Sequence, residues 1–163
     1  MSRALAHRAY RNIYIPMIQY SFGATTLSEQ QLRKIRSIAE AAFLPKAGMN
    51  RNFPRAVLRG PAKYGGANDP SFYTVKGYKQ LQYLIGHIRN EDDIGTMIIQ
   101  EIEFLQVISG IGNQIMERDT GITWIQWTEP TWCSDVKKFL HNIGAGLHFP
   151  NTQNPELQRI NDT

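Results

Sequence analysis

The sequence predicts a mainly α-helical domain of about five helices with one small β element or hairpin. Two observations predict the helices. Apolar residues recur at three- and four-residue intervals along most of the chain, and the segments carrying them start at capping residues and stop at Gly or Pro. A third observation sets the exception: residues 46–71 are rich in Pro and Gly and break regular structure. The 163 residues are about one domain's worth, enough to bury a core. We expect a single helical domain over 1–149, with a basic part at 1–89 and an acidic part at 90–149. Residues 150–163 are polar and are expected as a flexible tail.

Residues 3–22 form the first predicted helix, on the spacing of Leu5, Tyr10, Ile13, Tyr14, Met17, Ile18 and Tyr20. Pro16 should kink it or split it near Ile15, and Gly23 stops it. A second helix opens at a capping box, either Thr26 with Glu29 or Ser28 with Gln31, with Leu27 as a staple. Its stripe is Leu32, Ile35, Ile38, Ala39, Ala42 and Phe43, while Arg33, Lys34, Arg36 and Glu40 lie off it. Pro45 and Gly48 end it. Within 46–71, Arg55–Arg59 fits a short strand, and the whole is expected as an ordered loop with a small hairpin, anchored by Phe53, Val57, Leu58 and Tyr64.

Asp69-Pro70 or Ser71 opens a third helix, about Phe72 to Arg89, whose Tyr73, Tyr78, Leu81, Leu84, Ile85 and Ile88 should face inward. Asn90–Asp93 caps a fourth, about Asp92 to Ser109, with Ile94, Ile98, Ile102, Leu105 and Ile108 inward, ended by Gly110 and Gly112. Gly121–Trp127 alternates β-branched and aromatic residues and reads as a strand. Thr131 caps a fifth helix, Trp132 to Asn142.

Charge divides the chain more sharply than any motif does. Residues 1–89 hold fourteen Lys/Arg against three acids (Glu29, Glu40 and Asp69), a net of +11. Residues 90–163 hold four against eleven, a net of −7. A basic half with few acids attracts polyanions, nucleic acid above all. Arg51, Arg55, Arg59 and Lys63 recur every four residues beside Phe53 and Tyr64, and guanidinium forks match phosphate oxygens two at a time. Arg33, Lys34 and Arg36 extend the track. Pro54, Gly60 and Pro61 forbid one continuous helix, so the spacing alone does not align the row. The bland reading is a solubilising surface, or pairing with the acidic half.

Little else competes. Asp92-Asp93 invites a two-metal reading, but acids at a helix start are routine and the N-cap reading is favoured. His7, His87, His141 and His148 form no close ligand pair. Cys133 is alone, so no disulfide framework or cysteine metal site is expected, and it should be buried. The chain has no nucleophile elbow, P-loop or dinucleotide fingerprint. Tyr10, Tyr14, Tyr20, Tyr73, Tyr78 and Tyr83 fall mostly on apolar faces, where packing is the better reading than base stacking. No apolar run reaches a membrane span. The N-terminus is basic and interrupted by Arg8, Arg11 and Asn12, so a secretory signal is not expected. We expect an intracellular protein, nuclear or cytoplasmic, with no cofactor.

The order Leu44-Pro45-Lys46-Ala47-Gly48-Met49-Asn50-Arg51, Pro54-Arg55-Ala56-Val57, Gly60-Pro61, Tyr64-Gly65-Gly66, Tyr73, Gly77, Gln80-Leu81 and Ile85-Gly86-His87 resembles the segment after the polymerase palm in reverse-transcriptase-like retroelement proteins. Tyr14-Ile15-Pro16, Tyr20 and Leu32 through Ile38 fit the same pattern. It covers most of 8–112 and, more loosely, 132–147, and departs where Ala67-Asn68 follows Gly66 in place of Leu-Gly. The resemblance implies a helical, thumb-like fragment that holds the template–primer backbone without catalysis. Divalent metal and its aspartates belong to the palm, a separate or missing polymerase domain. It implies that Arg51, Arg55, Arg59 and Lys63 face the nucleic acid, RNA, DNA or hybrid, and that Gly65-Gly66 turns the chain into the third helix. The rival expectation is an interaction or structural domain whose basic and acidic halves pair within or between chains.

Overall fold

The computed structural model describes residues 2–111 and 113–149, so the expected tail and Gly112 lie outside the described residues. The chain is mainly helical and divides into two compact units, Met1–Lys79 and Gln80–Thr163. Each has its own core.

In the first unit the opening helical stretch comes in three parts: α1 (Arg3–Ala9), a π segment (Tyr10–Tyr14) and α2 (Ile15–Phe22). Pro16 is the cause. It has no N–H for the Asn12 carbonyl, and its ring crowds that carbonyl. The turn before it widens, so that Ile15 N–H donates to the Tyr10 carbonyl. Ser2 caps α1 through Leu5 N–H.

The second predicted helix is α3 (Glu29–Lys46), and of the two capping boxes the structure forms Ser28 with Gln31. Pro45 sits inside the last turn rather than ending it. The stop is Gly48, whose φ of 75° is open to glycine. Around it Met49 N–H reaches the Leu44 carbonyl and Gly48 N–H the Pro45 carbonyl, the paired bonds of a Schellman end. Tyr10 stacks on Phe43, ring centroids 4.3 Å apart, joining the π segment to α3. Ala6, Ile15, Leu44 and Leu58 bury around them. Phe22, Leu32 and Phe72 form a second cluster.

The loop beyond α3 is ordered, but its middle is not a strand. Arg55–Arg59 forms one helical turn, α4, because Pro54 sets the backbone and its carbonyl takes the N–H groups of Val57 and Leu58. A 3-10 turn, Ala62–Tyr64, follows. The chain then doubles back. Ala67 N–H donates to Val57, Asn68 to Gly60 and Asp69 to Leu58, closing a narrow neck without a strand.

Helix α5 (Phe72–Asn90) contains the boundary between the units. In the second unit Asp92 caps α6 (Asp93–Ser109), accepting from Gly95 N–H at 2.8 Å and lying 2.6 Å from His87 Nδ1. That bond from His87, with the backbone N–H, holds the Asp92 carboxyl below its usual value. Thr131 and Ser134 form the capping box of α7 (Trp132–Asn142). Leu84, Ile98, Ile102, Leu105, Val136 and Leu140 pack with Ile115, Met116, Trp124 and Ile125. Cys133 is buried there, and burial pushes its thiol up. The segment Thr123–Trp127, expected as a strand, is a 3-10 turn. Neighbours Trp124 and Ile125 are both buried while Trp127 is exposed, which a two-faced strand does not allow. Gln114 clamps Phe149 by bonds of 2.7 and 2.9 Å, and Leu147 N–H reaches the Met116 carbonyl. No strand occurs among the described residues. No helix among them is long and apolar enough to cross a membrane.

Several faces differ from the expectation. Leu5, Ile13, Met17 and Tyr20 are exposed on the first stretch, Ile38 on α3, Tyr78 and Ile85 on α5, and Ile94 and Ile108 on α6. In α3 the buried face carries two charges, Arg36 and Glu40, beside Leu32, Ala39, Phe43 and Leu44, and Asp69 of the loop joins them. Arg36 is 4% exposed, Glu40 3% and Asp69 5%. Arg36 Nε donates to Glu40 Oε1 at 2.8 Å, and its Nη2 pairs with Asp69 Oδ2. Arg55 Nε reaches the second oxygen of Glu40 at 2.8 Å. Two guanidinium groups thus meet two carboxylates. The Arg36 guanidinium also lies over the Phe72 ring, 5.4 Å from its centroid.

Removing one member of a buried pair leaves its partner charged and unsatisfied, at a cost of about 3–5 kcal/mol. Arg36→Met should lower stability by about that much in urea unfolding followed by far-UV circular dichroism. A loss under about 1 kcal/mol would mean that the cluster does not hold the first unit together.

Candidate nucleic-acid interface

The first unit, Met1–Lys79, carries thirteen Lys/Arg and three acids, a net of +10; the second carries five and eleven, a net of −6. The charge division therefore falls ten residues beyond the unit boundary, and both lie within α5.

Burial sharpens the contrast. Glu40 and Asp69 are turned inward onto Arg36, so two of the first unit's three acids leave its surface. Glu29 is exposed and pairs with Arg33 at 2.6 Å. Arg3, Arg8, Arg11, Arg33, Lys34, Lys46, Arg51, Arg59 and Lys63 are all exposed. A surface of this kind presents a nearly unopposed positive field to solvent.

The residues expected to touch nucleic acid separate into two groups. Arg51, Arg59, Lys63 and Tyr64 are exposed on the loop, and Arg33 and Lys34 on α3. Lys63 Nζ lies 4.7 Å from the Tyr64 ring centroid, so a cation and an open aromatic face stand side by side. Arg33 and Arg59 come together across a small pocket, with Phe72 and Tyr73 at its wall. Arg36 belongs to the interior, and Arg55 is tied to it at the edge. Arg36 is enclosed by carboxylates, which corrects its expected place at the surface. Arg55 is half-buried: besides Glu40, its guanidinium donates to the Phe53 carbonyl at 3.0 Å and the Arg51 carbonyl at 3.4 Å. It clamps the loop to α3. The four-residue row therefore has no common face, because Gly60-Pro61 ends α4 after one turn.

Cations of the first stretch also reach the loop, which the sequence reading did not single out. Arg11 donates to the Ala67 carbonyl. Arg8 and Arg11 are three residues apart on one helical face, but nothing local in the sequence announces a contact across 56 positions.

The charge cluster also shifts its own members. Burial pushes the Asp69 carboxyl above its usual value, against the pull of Arg36. Its Oδ1 finds no hydrogen-bond donor among the described residues. Burial first, and the Asp69 charge second, raise Tyr10, whose hydroxyl lies 3.5 Å from Asp69 Oδ2.

Gly66 sets the width of the loop's neck. A methyl group there would run into the Gly60 carbonyl. Gly66→Ala should open the neck without melting the helices. Tryptic cleavage at Arg59 and Lys63 should accelerate about tenfold while circular dichroism holds. Unchanged protection would show that the close approach of Gly60 and Gly66 does not shape the loop.

Compared with known proteins, the chain matches no family model, no curated protein and no solved structure.

Proposed function

We propose that this chain binds nucleic acid without sequence preference and without catalysis, gripping the phosphate backbone through its basic first unit. In this reading it is the thumb-like fragment of a reverse-transcriptase-related protein, and holds a template–primer duplex for a polymerase palm. The observation that carries the reading is the inward burial of Glu40 and Asp69, which leaves nine exposed cations against one exposed acid among the described residues of the unit. Arg51, Arg59, Lys63, Arg33 and Lys34 are the direct contacts, and Tyr64 offers a face for stacking. Arg36 and Arg55 serve the binding indirectly, by holding the loop.

A second reading draws on the acidic second unit. Opposite net charges of +10 and −6 favour pairing of basic and acidic surfaces between chains. Salt-sensitive self-association in sedimentation, with no nucleic-acid binding, would favour it over the first.

The test is fluorescence anisotropy of a labelled RNA–DNA hybrid and a duplex DNA, titrated at several salt concentrations. Binding should fall steeply with salt and depend little on sequence. Changing Arg51, Arg59 and Lys63 together to Ala should weaken every sequence alike and flatten the logarithmic salt slope by about 2.7, at about 0.9 per lost phosphate contact. No binding by the wild-type chain at low salt would overturn the reading.

A further inference from the structure

We propose that the cleft between the first helical stretch and the basic loop seats a phosphodiester group of the bound strand. This inference rests on the nucleic-acid reading and names a subsite within it. The cleft is about 420 Å³, with Arg8, Arg11 and Asn12 on one wall and Ala62, Gly66 and Asn68 on the other. That volume lies within the range of small-ligand sites, about 300–1,000 Å³.

Two guanidinium groups and two carboxamides among its lining suit a phosphate, on a surface that is otherwise mostly apolar. No acid borders the cleft. Asp69, next in sequence to Asn68, is buried and turned onto Arg36. Arg11 spends part of its guanidinium on the Ala67 carbonyl, which fixes the group at the cleft wall. A guanidinium has five N–H donors, so donors remain for an oxyanion. Among the described residues the side chains of Arg8, Asn12 and Asn68 have no partner, and each offers N–H groups. Gly66 packs its bare Cα against the Gly60 carbonyl, which holds this wall of the cleft to the loop's neck. Asn68 is held at a φ of 51°, with its N–H on the Gly60 carbonyl, so the closed neck sets its position.

A nucleic-acid phosphate is favoured over a free anion because the cleft continues into the cationic loop. Ala62, on its wall, opens the same short turn that carries Lys63 and Tyr64. One strand can therefore place a phosphate in the cleft and the next sugar and base by Lys63 and Tyr64.

The full-length chain carrying Arg8→Gln and Asn12→Ala tests the cleft. Both side chains are exposed, and the variant should match wild type in circular dichroism. Affinity for the labelled hybrid should fall about three- to tenfold, and the salt slope should drop by about 0.9, one phosphate contact. Arg8→Lys should recover part of the affinity, since it restores the charge without the fork. Asn68→Gly keeps the left-handed backbone, removes only the amide, and should weaken binding in the same direction. Unchanged affinity and slope in the double variant, against a wild type that binds, would overturn the cleft alone. A wild type that binds no hybrid would overturn the nucleic-acid reading and the cleft together. If the double variant loses adhesion to vesicles of anionic phospholipid while keeping the hybrid, the cleft takes a lipid phosphate and the proposal fails.

Discussion

A guanidinium taken out of water needs carboxylates around it, and in the first unit Arg36 draws in Glu40 and Asp69 to meet that need. The three residues come from α3 and from the end of the basic loop, and Arg55 adds a fourth charge from the loop's middle. Tyr10 brings the first helical stretch to the same place. One buried cluster therefore ties together the three parts of the unit. It does so with directional bonds, which fix a loop more narrowly than apolar contact alone. Burying the acids also decides what the outside looks like, because the cations that remain there face almost no opposing charge.

The loop depends on that cluster at one end and on close backbone packing at the other. Asp69 closes the neck through its N–H on the Leu58 carbonyl and anchors it through its side chain on Arg36. Gly60 and Gly66 let the two sides of the neck meet. The outcome is a short loop closed at its neck, with Arg59, Lys63 and Tyr64 at its surface.

The helical framework was legible because its signals are local. Ser28 with Gln31, Asp92 and Thr131 with Ser134 all start helices where capping chemistry places them. Pro16 disturbs the first stretch where an absent N–H must. Which side of each helix turns inward was less legible. Ile38 is exposed while Arg36 and Glu40 are buried, because partners on the loop make a charged interior acceptable and no periodicity shows those partners. The same holds at Gly121–Trp127, where alternation suggested a strand but a neighbouring pair, Trp124 and Ile125, turns into the core. Of the expected contact residues, the exposed ones were readable from charge and loop composition. The inward turn of Arg36 and Arg55, and the approach of Arg8 and Arg11 to the loop, depend on contacts distant in sequence.

A basic unit with two of its three acids buried is joined in one chain to an acidic unit. The central claim is that nucleic acid meets the first unit and not the second. Hydrogen–deuterium exchange of the full chain, with and without an RNA–DNA hybrid at low salt, tests it most directly. The account predicts slowed exchange at residues 3–12, 29–36 and 51–69, with 93–149 unchanged. Protection centred on 93–149, or none anywhere at saturating hybrid, would contradict it.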